Sequence, residues 1–156
     1  MFETRPMTSA DIPECLEILN HTIRKGGTTA YEDEHTRDSF EAEFLHKPPI
    51  GVVVEHEGRI VGFQNAYDYG DGLYSIGSFT DQQRPVKGAG RAMFAATLEA
   101  CRARGGVAIL ARITSDNASG LAYYSAMGFA DDYIIPKDVT RRNGKTVDRV
   151  VKRFPL

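Results

Sequence analysis

The segment Val107-Ala108-Ile109-Leu110-Ala111-Arg112-Ile113 is apolar enough to be buried on both faces as a strand, and only a sheet covered by helices on both sides buries a strand in that way. Gly105-Gly106 before it ends a helix that runs to about Arg104. The 156 residues, 42% of them hydrophobic and 26% charged, have room for one such covered core and not for a second, so a single domain over 1–156 is expected.

The remaining segments fall into the same plan. Phe2-Glu3-Thr4-Arg5 alternates as a short strand. Thr8 with Asp11 resembles a capping box ahead of a helix whose apolar stripe is Ile12, Leu16, Leu19 and Ile23, closed by Gly26-Gly27. Thr28 to Glu34 is a polar loop, and a short helix with Phe40, Phe44 and Leu45 stops at Pro48-Pro49. Val52 to Glu55 and Ile60 to Phe63 flank a hairpin turn containing Gly58, and a further strand spans Tyr74 to Thr80. A helix from about Asn117 to Met127 ends at Gly128, and two extended stretches flank Asn143-Gly144. The order strand, two helices, three strands, helix, strand, helix, two strands predicts an α/β fold of the mixed α+β kind, with one mixed sheet and helices on its faces.

Between the Tyr74 to Thr80 strand and the following helix lies Pro85-Val86-Lys87-Gly88-Ala89-Gly90-Arg91. Its glycines let the backbone turn tightly, and the bare N–H groups with the positive end of the helix make an anion site of the pyrophosphate-binding type. Arg84, Lys87 and Arg91 add positive charge locally, although the chain as a whole carries −2 and attracts neither nucleic acid nor anionic membrane. A Walker loop is excluded because no Gly-Lys-Ser/Thr follows, and Met93 stands at the third glycine position of a dinucleotide fingerprint. Taken by itself such a loop is more often just a glycine-rich helix start.

A second element gives it meaning. Asn117, Tyr124 seven residues on, and Gly128-Phe129 follow the buried strand, and with Gly88 and Gly90 this pattern resembles the GNAT superfamily of acyl-CoA-dependent N-acetyltransferases. Ile18-Leu19-Asn20-His21 followed by Thr28-Thr29-Ala30-Tyr31-Glu32 is similar to its phosphinothricin acetyltransferase-like branch. The resemblance implies a central, mostly antiparallel sheet of about seven strands with about four helices, acetyl-CoA as cosubstrate, and direct transfer through a ternary complex to the primary amine of a small amino-acid-like molecule. No metal is expected, since His35, His46 and His56 are scattered without ligand spacing. The resemblance also implies a homodimer, with the tail strands rich in Val139, Val147, Val150 and Val151 as the surface for pairing. A cytoplasmic location is expected on other grounds, because Met1 to Asp11 mixes charge, proline and polar residues and no apolar run approaches membrane-spanning length. A non-catalytic acyl-CoA-binding sensor or scaffold is the alternative.

The resemblance distributes roles among residues. The strands before and after the glycine loop splay apart, and the pantetheine arm aligns on main-chain groups near Phe79 and Thr80, with the Phe79 N–H as oxyanion donor. Arg84, Val86, Lys87, Gly88, Ala89, Gly90 and Arg91 bind the cofactor together with Asn117, Ser119 and Tyr124. Tyr124 is the general acid for the departing thiolate, although a tyrosine on a short helix is otherwise a core aromatic, as its neighbour Tyr123 illustrates. Asn117 is equally an ordinary helix N-cap. Tyr31 and Glu32, with Tyr67 and Tyr69 near the third strand, make an aromatic wall with a carboxylate that suits an ammonium-bearing acceptor, although each aromatic is otherwise a loop residue packed for stability. Ser75 is a further acceptor contact. Two departures stand out: Pro85 replaces the loop's usual Gln or Arg, and Ser75 replaces the branch's Glu, which leaves Asp71, Glu32 or His21 acting through water as the base. Cys15 and Cys101 fall on apolar helix positions and are expected as buried, reduced thiols.

Overall fold

All seven extended segments join one sheet in the computed structural model, which describes residues 1–156. β1 (Phe2–Pro6), β2 (Ile50–His56), β3 (Arg59–Asp68) and β4 (Leu73–Thr80) run antiparallel to their neighbours. The chain then crosses the sheet through a helix, so β5 (Ala108–Thr114) lies parallel to β4. The hairpin of β6 (Ala130–Thr140) and β7 (Thr146–Pro155) attaches through β7, giving the order β1-β2-β3-β4-β5-β7-β6. Four α-helices cover it: α1 (Ile12–Lys25), α2 (Arg37–Phe40), α3 (Ala89–Ala103) and α4 (Ala118–Met127). A π-helical turn, Glu41–His46, extends α2 towards Pro48.

Strand alternation feeds two cores. Val53, Phe63 and Phe79 point to the α1/α2 side, where they meet Ile12, Cys15, Leu19, Phe40 and Phe44. Val52, Val54, Ile76, Ile109, Ala111 and Ile113 point the other way, to Met93, Phe94 and Cys101 of α3 and Tyr124 of α4. On the first side Phe40, Phe44, Phe63 and Phe79 form a ring cluster with centroids 4.9–6.1 Å apart. Each such pair contributes about 1 kcal/mol beyond its buried area, which fixes α2 under the end of β4.

The covered sheet, the strand and helix count and the buried free thiols agree with expectation, burial pushing the Cys101 thiol up to about 11. Three details differ. Leu16 is only half-buried, and the contact face of α1 runs through Ile12, Cys15, Ile18, Leu19 and Ile23. Val107 is 54% exposed, because it still belongs to the turn and donates its N–H to the Gly72 carbonyl; the strand starts one residue later. Val139, Val147 and Val151 are buried inside their own chain, so they offer no surface to a second subunit; the exposed large apolar side chains of β6 are Tyr133 and Ile134. No helix is long and apolar enough to cross a membrane.

Candidate active site

β4 and β5 are paired only from Leu73↔Ala108 to Ile76↔Ala111. Beyond that point β4 stays with β3 and β5 stays with β7, and the sheet opens between them. Within β4 the direction of each main-chain group follows from strand parity. Tyr69 N–H donates to the Leu73 carbonyl and Asp81 N–H to the Val61 carbonyl, with unbroken register between them. Odd-numbered residues of β4 therefore direct their N–H and C=O to β3, and Ser78 and Thr80 direct theirs into the opening. The Phe79 N–H, expected as an oxyanion donor, is consumed by the sheet; the N–H of Ser78 faces the gap in its place.

A cavity of about 820 Å³ fills the opening. At one end it reaches Pro85, Val86 and Gly90 of the glycine turn, and Asn117, Ser119 and Gly120 at the start of α4. At the other it is walled by Thr28, Tyr31, Glu43, Tyr67, Tyr69 and Arg112, with Ser75, Gly77, Ser78, Phe79, Thr80 and Tyr124 between.

Gly88 is the N-cap of α3 at φ 95°, where a side chain is strained, and no side chain caps the helix. The first-turn N–H groups of α3 thus keep no partner of their own. Ala89 is an exception: its methyl is buried and its N–H closes a turn on the Val86 carbonyl, so it offers no contact to a ligand. Arg84, Lys87 and Arg91 are exposed around the turn, outside the cavity lining. Gly90 has a further reason to be glycine, since a Cβ there would lie 2.7 Å from the Tyr123 ring.

The two adjacent tyrosines of α4 separate clearly. Tyr123 Oη donates to the Gly90 carbonyl at 2.7 Å and accepts from Gln64 Nε2 at 3.1 Å, so its proton is engaged in tying α4 to the glycine turn. Burial pushes its phenol up to about 12. Tyr124 Oη meets a single partner, Ser78 Oγ, at 2.7 Å, and Ser78 in turn accepts from Gln64 Nε2 at 2.8 Å. Burial also pushes the Tyr124 phenol well above its ordinary range. Tyr124 is thus a protonated hydroxyl on the cavity wall. Gln64 and Ser78 did not emerge as candidates from sequence. The signal was available, because Gln64-Asn65 interrupts an otherwise apolar β3, and polar side chains buried in mid-strand are held there by partners.

Asn117 Oδ1 accepts from the Gly120 N–H at 2.9 Å and from Ser119 Oγ at 3.1 Å, the N-cap role, while its Nδ2 makes no bond within the chain. At the walled end of the cavity, Tyr67 Oη donates to the Glu43 carbonyl at 2.9 Å, and Tyr31 packs edge-on to His35. Glu32 does not line the cavity. Arg141 Nη1 donates to it at 3.2 Å and to the Thr29 carbonyl at 2.5 Å, while Nη2 donates to Asp116 Oδ1 at 2.7 Å and Thr114 Oγ1 at 3.0 Å. Glu32 is therefore a strut between loop and hairpin, and it cannot act as the base while so paired. His21 and Asp71 also lie outside the lining; Glu43 and Asp68 are the carboxylates that contribute to it. No group of three His, Cys, Asp or Glu side chains is placed to hold a metal.

A mixed sheet opened along its parallel pair, with an uncapped helix start at one end of the opening and a walled chamber at the other, is the architecture of a GNAT-type acetyltransferase. The chain belongs to the Acetyltransferase (GNAT) family, whose model matches residues 13–129. It is similar to an L-methionine sulfoximine/L-methionine sulfone acetyltransferase of Pseudomonas paraeruginosa, 28% identical over 94% of this chain and 90% of that one. Among solved structures it superposes on a phosphinothricin acetyltransferase of Sinorhizobium meliloti in complex with acetyl-CoA, with a TM-score of 0.88, 21% identity and coverage of 99% and 88%. A GCN5-related N-acetyltransferase of Kribbella flavida gives a TM-score of 0.85, 21% identity and coverage of 99% and 98%.

Proposed function

We propose that the protein transfers the acetyl group of acetyl-CoA directly to the primary amine of a small amino-acid-like acceptor, with both substrates held at once. The observation that carries this reading is one cavity joining an opened strand pair, a glycine-capped helix start and a buried, singly bonded phenol. The similarity to an acetyltransferase acting on methionine derivatives supports the acceptor class.

The residues fit acetyl-CoA. Gap-facing groups of Ser78 and Thr80 continue the sheet for an extended arm, the start of α3 receives a diphosphate, and Asn117 Nδ2 is free to donate. When bound, the thioester supplies an electrophilic carbonyl and a thiolate leaving group. The Ser78 N–H stabilises charge on the carbonyl oxygen. Tyr124 delivers the proton on its Oη to the sulfur, and Ser78 Oγ with Gln64 fixes the direction of that hydroxyl. Glu43 and Asp68 receive the amine's proton through water in the absence of a carboxylate at Ser75.

The test is thiol release from acetyl-CoA with a panel of L-amino acids and methionine derivatives. Acetyl-CoA binding without release on any of them would instead identify a sensor domain. A second expectation concerns the turn. Lys87→Gln combined with Arg91→Gln should weaken acetyl-CoA roughly tenfold, as loss of charge-assisted contacts does. Affinity for S-acetylpantetheine, which has no diphosphate, should not change in a titration of the same variant; equal weakening of both would misplace the diphosphate.

A further inference from the structure

Four cationic side chains line the cavity: Lys25, Lys47, Arg112 and Arg149. Lys47 lies 3.5 Å from Glu43, and Arg149 lies 3.0 Å from Asp138. Lys25 is exposed at the end of α1. Lys25 and Arg112 both take part in no ion pair, and of the two only Arg112 is half-buried. Its Nη1 donates to Tyr69 Oη at 2.8 Å, and its Cζ stands 5.9 Å from that ring's centroid. One of its five N–H donors is thus used to hold the side chain in place, and the others have no partner within the chain.

Its place in the fold explains why it points there. Arg112 follows Ala111, the last residue of β5 paired with β4, so it stands on the lip of the opening. Ala111 and Ile113 belong to the α3/α4 core, so alternation sends Arg112 to the opposite face, the side of Tyr31, Tyr67 and Thr28. A guanidinium is planar and matches a carboxylate with two parallel N–H bonds. The nearby cavity carboxylate Asp68 is engaged by the Gly70 N–H at 2.8 Å. Neither cavity carboxylate, Glu43 or Asp68, forms an ion pair with Arg112, so the chamber holds a half-buried cation with no anion bonded to it.

We infer that Arg112 anchors the carboxylate of the acceptor, so that this enzyme selects amines carrying a carboxylate over neutral or cationic amines. The inference rests on the acetyltransferase reading of the same cavity. Tyr69 is the positioning residue, since its hydroxyl holds the guanidinium over the chamber.

Matched acceptors decide it: a free amino acid, its carboxamide, and the amine lacking that carbon. In the wild type, kcat/KM for the acid is expected to exceed that for the amide by about tenfold or more, the usual scale of a charge-assisted pair. Arg112→Gln should bring the two together, mainly through a higher KM for the acid, and Arg112→Lys should restore part of the difference. Acetyl-CoA affinity, measured by titration on each variant, is expected to stay within about twofold, showing an intact fold. Arg112→Glu should make a diamine the better acceptor. Turnover of acid and amide at equal efficiency by the wild type, or a preference that survives Arg112→Gln, overturns the inference and leaves the acetyltransferase reading standing. Failure to acetylate any amine overturns both.

Discussion

Tyr124→Phe is expected to lower kcat about a hundredfold, the lower end of what a positioned acid contributes, with acetyl-CoA affinity nearly unchanged. The substitution removes one oxygen whose sole partner is Ser78 Oγ, and the ring keeps its contact with Phe129 at 5.2 Å, so packing is preserved. Tyr123→Phe provides the contrast. It removes the bond to the Gly90 carbonyl, loosens the glycine turn, and should raise the acetyl-CoA dissociation constant more than it lowers kcat. The pH profile tests the same assignment. Burial raises the Tyr124 pKa, so the proton needed for the leaving thiolate is retained through the alkaline range. Turnover in the wild type should then show no fall on that account up to about pH 10, the ordinary phenol value. Unchanged kcat in the Phe variant would mean that a different group protonates the sulfur.

Arg141→Ala should destabilise the protein by roughly 3 kcal/mol, because removing one partner leaves Asp116 and Glu32 facing each other without their common cation. Arg141 also helps to fasten the loop after α1 to the β6–β7 hairpin, through the Thr29 carbonyl, beside Arg142, which donates to the Glu32 carbonyl. The acceptor wall rests on that loop, and KM for the acceptor should rise along with the loss of stability. The pH dependence has a definite sign. The hydrogen bond from Arg141 is the leading cause that holds the Asp116 carboxyl below its ordinary 3.8. A depressed folded pKa gives stability that is present above the unfolded value and is lost as pH falls through the folded one. Urea unfolding should therefore show a gap between wild type and variant that is full at pH 7 and narrows below 3.8. A gap independent of pH would assign the loss to packing alone.

The residues legible in the sequence were those whose local surroundings dictate them. Gly88 was marked by the strand-to-helix turn, Asn117 by its N-cap position, and Tyr124 by fixed spacing from both Asn117 and Gly128. Glu32 was misjudged because its sequence neighbours are aromatic and polar, while the residue that neutralises it, Arg141, lies 109 positions away. Ser78, Gln64 and Arg112 escaped notice for a related reason. Each occupies an ordinary strand, and its importance arises from which face it takes and what stands opposite.

Sequence alone determined the order of the elements, the covered sheet and the glycine turn, since periodicity and turn chemistry act over a few residues, and the spacing of Asn117, Tyr124 and Gly128-Phe129 carried the resemblance to the family. Tertiary structure decided which main-chain groups of β4 face the opening, which of two tyrosine hydroxyls is bonded to the glycine turn and which to Ser78, and which half-buried cation lacks an ion pair. Those properties depend on strand parity and on partners brought together by the sheet, and no local run of residues encodes them.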